Sequence, residues 1–268
     1  MPTAAAPDYA AFLTSHLASQ ADLVQRHQWQ GESLWLKRAG QPHPAWRYRV
    51  LAAVARLVRV PALQPVPNPG GTQAIATEVR RLQTLADRGL RVPQVLAAVP
   101  QGFLMRDLGQ AGQPVQSLGH ALERTGTGAA TLALWQQGLA ALRQVHDRGQ
   151  CLSQAFARNM VLCPDGGIGF IDFEDDPAAH LPLPQCQLRD ALCYIHSTAW
   201  IVVRAGVLPA AQTHWQSWQA GMHPEAREAL ALARQRLRGL RWLPVTRRLG
   251  RDTQRLRQAW ALLANIDS

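Results

Sequence analysis

Apolar positions recur at helical spacing between Asp8 and Arg26 (Phe12, Leu13, Leu17, Leu23) and predict an opening helix. The next segment, Ser33–Arg38, reads SLWLKR and has the alternation of a short strand, with Lys37 near its end. Helical spacing returns from Pro44 to Leu63, where Trp46, Val50, Leu51, Val54, Leu57 and Val58 share a helix with Arg47, Arg49, Arg56 and Arg59. Pro61, Pro65, Pro67, Pro69, Gly70 and Gly71 then predict a loop. A further helix is expected over Thr72–Arg88, closed by Gly89. Val92–Val99 and Gly102–Leu108 read as two strands, with Pro93 at the edge of the first. Gly109–Thr127 is glycine-rich with a helical stretch inside it. Ala129–Arg148 is a strongly amphipathic helix carrying Leu132, Leu134, Trp135, Leu139, Leu142 and Val145. Strands at Met160–Cys163 and Ile168–Phe173 flank a PDGG turn, and the chain from Leu188 onward is helical by pattern.

This order is not an alternation of strands and helices. It argues against a Rossmann arrangement and for an α+β protein, a small mixed lobe joined to a helical lobe. The 268 residues are 47% hydrophobic, enough for one large domain or two small lobes around a core. The formal net charge of +10, nearly all from arginine, points to an anionic partner. Nucleic acid, phosphorylated small molecules and an anionic membrane surface all qualify, and so does a merely solvated basic face. Nucleic acid is not favoured, since aromatics make up only 6% and no RRM, zinc-finger or helix–turn–helix signature stands out. The four cysteines (Cys151, Cys163, Cys186, Cys193) form no C-x-x-C pair and read as reduced thiols of a cytosolic protein. Met1–His16 has no basic region followed by an apolar run, so no signal peptide is expected. No apolar run reaches 18 residues, so no spanning helix is expected and any membrane contact is peripheral.

The chemistry concentrates in Val145–Pro177, VHDRGQCLSQAFARNMVLCPDGGIGFIDFEDDP. Asn159 opens a short strand, and Asp172 follows thirteen positions later across the hairpin, at the end of an apolar strand. An amide oxygen and a carboxylate are thereby brought to one end of the hairpin. Hard oxygen ligands of this kind suit Mg²⁺ held together with nucleotide phosphates.

At these residues the sequence resembles the protein-kinase superfamily, and more narrowly the bacterial lipopolysaccharide kinases that phosphorylate Kdo or heptose sugars. Asn159 and Asp172 match the metal-binding Asn of the catalytic loop and the metal-binding Asp of the D-F-G position, here Asp172-Phe173-Glu174. Lys37 in LWLKR resembles the phosphate-pairing lysine of the third strand, and Glu78 in ATEVRRLQTLADRGLRVPQVLA the helix glutamate that holds it. Trp46-Arg47-Tyr48-Arg49 sits where those kinases carry an Arg-rich insert. Asp190 in QLRDALCYI resembles the buried Asp that holds the catalytic loop from the following helix. The likeness covers Leu34 to His196. It implies a two-lobed protein-kinase-like α+β fold: an N-terminal lobe over residues 1–105 with a basic insert at 44–63, a hinge at 106–112, and a helical C-terminal lobe over 113–268 carrying the hairpin region 145–177. It also implies ATP and Mg²⁺ as cofactors, and a nucleotide and a sugar or lipid-linked hydroxyl as partners.

Two positions depart from that pattern. Gly31 is the one glycine in the stretch before Lys37, so there is no G-x-G-x-x-G lid over the phosphates. The catalytic Asp is expected five positions before Asn159, and that position is Gln154, which cannot take a hydroxyl proton as a carboxylate does. Gln154 could still orient a nucleophile by hydrogen bonding, and Asp147, Asp175 or Asp176 are carboxylates near it in sequence. The chain therefore reads as a phosphotransferase with an atypical loop, as a pseudokinase that binds nucleotide and acts as a scaffold, or as a basic binding protein that uses the fold without nucleotide.

Each residue also has a plainer reading. Asp172 could be a turn or edge residue, Lys37 a surface lysine at a strand end, and Glu78 an acid favoured by its helix dipole. Asp190 could be only an acid at a helix N-terminus, while His146 is structural and Trp135 core. The basic, Trp-bearing stretches Pro44–Leu63 and Arg234–Arg257 suit the inner-membrane surface of a cytoplasmic peripheral protein, or are solvated faces of packed helices.

Overall fold

The computed structural model of the protein describes residues 8–41, 61–110, 112–242 and 250–264. It is a mixed α+β structure, with a small antiparallel sheet near the start of the chain and a helical region after it.

Helix α1 (Tyr9–Leu17) starts where Asp8 caps it, Oδ1 accepting the Ala11 N–H at 2.9 Å. It stops at Leu17, short of the Arg26 that its apolar spacing predicts, because Val24–Trp29 pairs as strand β1 with β2 (Glu32–Arg38). Pairing satisfies the β1 backbone groups and tertiary context overrides the local period. The connection is a two-residue turn, Gln30 at φ +50° and Gly31 at φ +80°, the backbone of a type I′ hairpin. The glycine before Lys37 thus serves a tight turn.

Strands β3 (Val95–Val99) and β4 (Gly102–Arg106) complete a sheet of order β1-β2-β4-β3 in which every neighbouring pair is antiparallel. On one face, Phe12 and Leu13 of α1 pack against Leu34, Leu36 and Leu104. Helix α2 (Gly71–Asp87) packs against β3 and β4 and buries Ala74, Ile75, Glu78, Arg81, Leu82 and Leu85. It ends in a Schellman turn: Gly89, at φ +70°, donates to Ala86 O at 2.8 Å, and Leu90 donates to Leu85 O at 3.0 Å. The expected helix at Pro44–Leu63 lies outside the described residues except for its end, where Pro61–Leu63 is a 3₁₀ turn.

The rest of the chain is largely helical. A short strand β5 (Gln116–Ser117) leads into α3 (Leu118–Glu123), followed by α4 (Gly128–Asp147). The hairpin β6 (Met160–Leu162) and β7 (Ile168–Phe170) pairs on one side with β5, giving a second, three-stranded sheet. Helices α5 (Leu183–Arg204), α6 (Leu208–Ala220), α7 (Pro224–Leu237) and α8 (Gly250–Leu263) follow. Helices α4 and α5 are joined through two buried polar contacts. The Trp135 indole donates to Thr198 Oγ1 at 2.9 Å, and the Tyr194 hydroxyl donates to Trp135 O at 2.7 Å. One hydrophobic cluster runs from Ile75, Leu82 and Leu85 of α2 through Phe103 and Phe173 to Trp135, Leu142, Ile195 and Trp215.

Two expectations need correction here. Strand β7 ends at Phe170, so Asp172 lies beyond the strand rather than at its end. The segment Arg234–Arg257 is not one helix: α7 ends at Leu237, Arg238–Trp242 forms a 3₁₀ turn, and α8 begins at Gly250. Trp242 is 76% exposed. Among the described residues no helix is long and apolar enough to cross a membrane.

Candidate nucleotide and metal site

Five segments of the chain converge between the first sheet and the helices. Strand β2 brings Lys37, whose side chain is only 11% exposed. Helix α2 presents Glu78 from its buried stripe, and Lys37 Nζ lies 2.6 Å from Glu78 Oε2. After β7, the chain carries Asp172 and Glu174 to the same ammonium: Asp172 Oδ1 is 3.8 Å away and Glu174 Oε1 2.9 Å. Glu174 is braced from the other side by Asn68 Nδ2, which donates to its Oε2 at 3.1 Å.

Burial pulls Lys37 toward neutrality, but Glu78 and Glu174 outweigh it and its pKa is raised above the ordinary lysine value. The ammonium is therefore kept charged. Glu78 is pushed up by burial against the opposing pull of Lys37 and of the Phe173 N–H. One ammonium among three carboxylates leaves the cluster net negative, an arrangement that attracts a cation before it attracts a phosphate.

The segment after β7 is held firmly. Phe173, 1% exposed, is seated in the main hydrophobic cluster, and its backbone N–H donates to Glu78 Oε1 at 3.3 Å. Asp172, just before it, has φ +72°, a left-handed conformation that costs a non-glycine residue roughly 1 kcal/mol or more. The buried Phe173 and the bonded Glu78 are what hold it there.

The loop between α4 and β6 carries the other candidate oxygen donor, Asn159. Asn159 Nδ2 donates to Gln154 O at 3.0 Å, which turns the amide oxygen away from the loop. The Ile171 N–H donates to Asn159 O at 3.0 Å, tying this residue to the chain just before Asp172. Asn159 and Asp172 are hard oxygen donors of the kind that suits Mg²⁺ completed by water and phosphate oxygens. Among the described residues no group of three or more His, Cys, Asp or Glu side chains could hold a metal by itself. As a pair of oxygen donors, Asn159 and Asp172 are chemically compatible with Mg²⁺.

Asp190 is not an acid at the start of its helix. It lies well inside α5, 0% exposed, and its Oδ2 accepts the Leu152 N–H at 2.7 Å, with His146 Nε2 at 3.4 Å. Burial pushes its carboxyl up, while His146 and the Leu152 N–H pull it back. It fastens the start of the loop that bears Gln154. Gln154 itself donates from Nε2 to Asp175 Oδ2 at 3.2 Å, and its Oε1 lies 3.4 Å from Arg158 Nη2.

Sequence reasoning missed Arg81 and gave Glu174 no role. Arg81 lies one turn beyond Glu78 and is 6% exposed; it donates to Cys151 O, and its Nε lies 4.0 Å from Asp176 Oδ1. With Arg80, 3.1 Å from Asp176 Oδ2, it clamps α2 to both the loop and the segment after Asp172. An arginine inside the apolar stripe Ile75–Glu78–Leu82–Leu85 was the available signal. For Glu174 it was a charged side chain immediately after Asp172-Phe173. The sequence matches no protein-family model and no curated protein.

Proposed function

We propose that this is an ATP- and Mg²⁺-binding protein of the two-lobed protein-kinase-like kind, a phosphotransferase to a sugar or lipid-linked hydroxyl. The observation that carries the reading is the buried Lys37–Glu78 pair at 2.6 Å, with Asp172 Oδ1 3.8 Å from the same ammonium. In kinases a strand lysine paired with a helix glutamate holds phosphates, next to an Asp and an Asn that hold Mg²⁺. On this reading Lys37 meets the phosphates and Glu78 keeps Lys37 extended. Asn159 and Asp172 hold Mg²⁺, which would neutralise phosphate charge, and Asp190 fixes the loop that brings Gln154 near the acceptor hydroxyl. The small antiparallel sheet that carries Lys37, and the helical region that carries the loop, support the two-lobed arrangement.

The acceptor is inferred from chemistry beside that loop. An apolar cavity of about 400 Å³ lies behind Phe156, lined also by Leu192, Trp260 and Leu263. It favours an acceptor with a hydrocarbon part, and a basic, peripheral protein at the cytoplasmic side of an anionic membrane is consistent with the charge of +10.

A second reading is favoured by two observations: Gln154 in place of the carboxylate, and Glu174 on Lys37 at 2.9 Å. It makes the protein a pseudokinase, a nucleotide-binding scaffold without efficient transfer. A thermal-shift titration with Mg²⁺-ATP tests the shared part of both readings, because a ligand bound only by the folded state must raise its stability. ADP formation then separates the two.

A further inference from the structure

The carboxylate missing at position 154 has a counterpart in space. Asp175, only 3% exposed, lies against the loop at two points: its Oδ2 accepts from Gln154 Nε2 at 3.2 Å, and its backbone oxygen accepts from Ser153 Oγ. Among the described residues, the buried Asp175 Oδ1 has no hydrogen-bond partner. Burial pushes the Asp175 carboxyl up, and the Gln154 hydrogen bond and the Arg189 charge pull it back. The Arg189 guanidinium is itself committed, Nη1 donating to Ala62 O at 3.2 Å and Gln64 O at 2.8 Å.

This contact has a directional consequence. While it is ionised, the Asp175 carboxylate only accepts hydrogen bonds. Gln154 must therefore turn its NH₂ toward Asp175 and its carbonyl oxygen away, and Oε1 faces the Arg158 side. An amide beside a neutral partner would be free to flip. Beside an ionised Asp175 it has one orientation, with its acceptor atom on the Arg158 side and a negative charge one hydrogen bond behind it.

We propose that Asp175 is a positioning residue for phosphoryl transfer: through its hydrogen bond it fixes the Gln154 amide oxygen toward the acceptor hydroxyl and places a carboxylate behind that amide. The proposal rests on the kinase-like reading above. In the step itself the acceptor oxygen bonds to the γ-phosphorus of ATP. The bond from that phosphorus to the oxygen bridging to the β-phosphate breaks, and its electron pair leaves with ADP. The hydroxyl proton passes to a non-bridging oxygen of the transferred group. A loose transition state needs little proton removal beforehand, so orienting the nucleophile is the contribution left to this loop.

The test uses the full chain, with water as the acceptor and ADP formation from Mg²⁺-ATP as one readout. A second readout needs no nucleotide: the Gln154 side-chain NH₂ resonances, assigned by their loss in Gln154→Leu. In Asp175→Asn these resonances are expected to move and exchange faster, while the Mg²⁺-ATP thermal shift stays as in wild type. ADP formation should fall about 10²-fold, the scale of a misplaced reacting group. The exchanged pair, Gln154→Asp with Asp175→Asn, keeps a carboxylate and an amide in contact and should restore ADP formation to within about tenfold of wild type. Gln154→Leu should cost as much as Asp175→Asn, and combining Gln154→Leu with Asp175→Asn should cost little more, since the two act as one unit. Unmoved Gln154 resonances, a wild-type rate in Asp175→Asn, or a single-variant rate in the exchanged pair would overturn the proposal. So would a wild type that binds Mg²⁺-ATP yet forms no ADP, which leaves the nucleotide reading standing. Absence of Mg²⁺-ATP binding removes both.

Discussion

Glu174 Oε1 lies 2.9 Å from Lys37 Nζ, so the ammonium that would meet a phosphate is already shared with a carboxylate other than its Glu78 partner. Any anion that approaches Lys37 must displace Glu174 or bring a cation with it.

The Glu174→Gln variant should therefore bind Mg²⁺-ATP more tightly. The side chain is 35% exposed, so solvent screens the effect, and a gain of about three- to tenfold is expected. The hydrogen bond from Asn68 can persist, which keeps the segment in place. Isothermal titration calorimetry measures it. Weaker binding would make Glu174 a contributor to the nucleotide site rather than a competitor for Lys37.

Asp172 sits at φ +72°, where a Cβ is unfavourable. Replacing it by Gly should leave the protein about 1 kcal/mol more stable than replacing it by Ala, because both lose the carboxylate and only Ala keeps the strain. Urea midpoints of the two variants decide this. Equal midpoints would mean that the backbone relaxes out of the left-handed region once the carboxylate is gone.

Several residues of the candidate site are legible in the sequence because they sit in strong local patterns. Lys37 lies one residue before the end of a short strand, Glu78 occupies the buried stripe of a periodic helix, and Asn159 and Asp172 flank a hairpin with an unmistakable turn. What the sequence hid depends on tertiary contacts. Val24–Arg26 falls at the end of the helical spacing read from Asp8 and becomes strand because β2 is there to pair with it. The Arg238–Trp242 turn breaks a basic run that looks continuous. The Gln154–Asp175 contact joins positions 21 apart that no periodicity relates.

The depth of Asp190 gives a pH signature. Its folded carboxyl is raised above the ordinary value, so its favourable contribution to stability is fully present below the unfolded pKa and is lost as pH rises through the folded one. Asn at this position can still accept the Leu152 N–H, but it does not titrate. The stability of wild type relative to Asp190→Asn should therefore increase as pH falls from 7 toward about 4. Urea denaturation of both proteins across that window measures the difference. A pH-independent difference would mean that Asp190 titrates alike in the folded and unfolded chains.

The most direct test of the proposed nucleotide site is a thermal-shift titration with ATP, with and without Mg²⁺, on wild type and on Asp172→Asn, which tolerates the left-handed backbone. The melting temperature is expected to climb with Mg²⁺-ATP in wild type, to rise little with ATP alone, and to lose the Mg²⁺-dependent part in the variant. No rise at millimolar Mg²⁺-ATP, or the same rise in Asp172→Asn as in wild type, would contradict the proposed site.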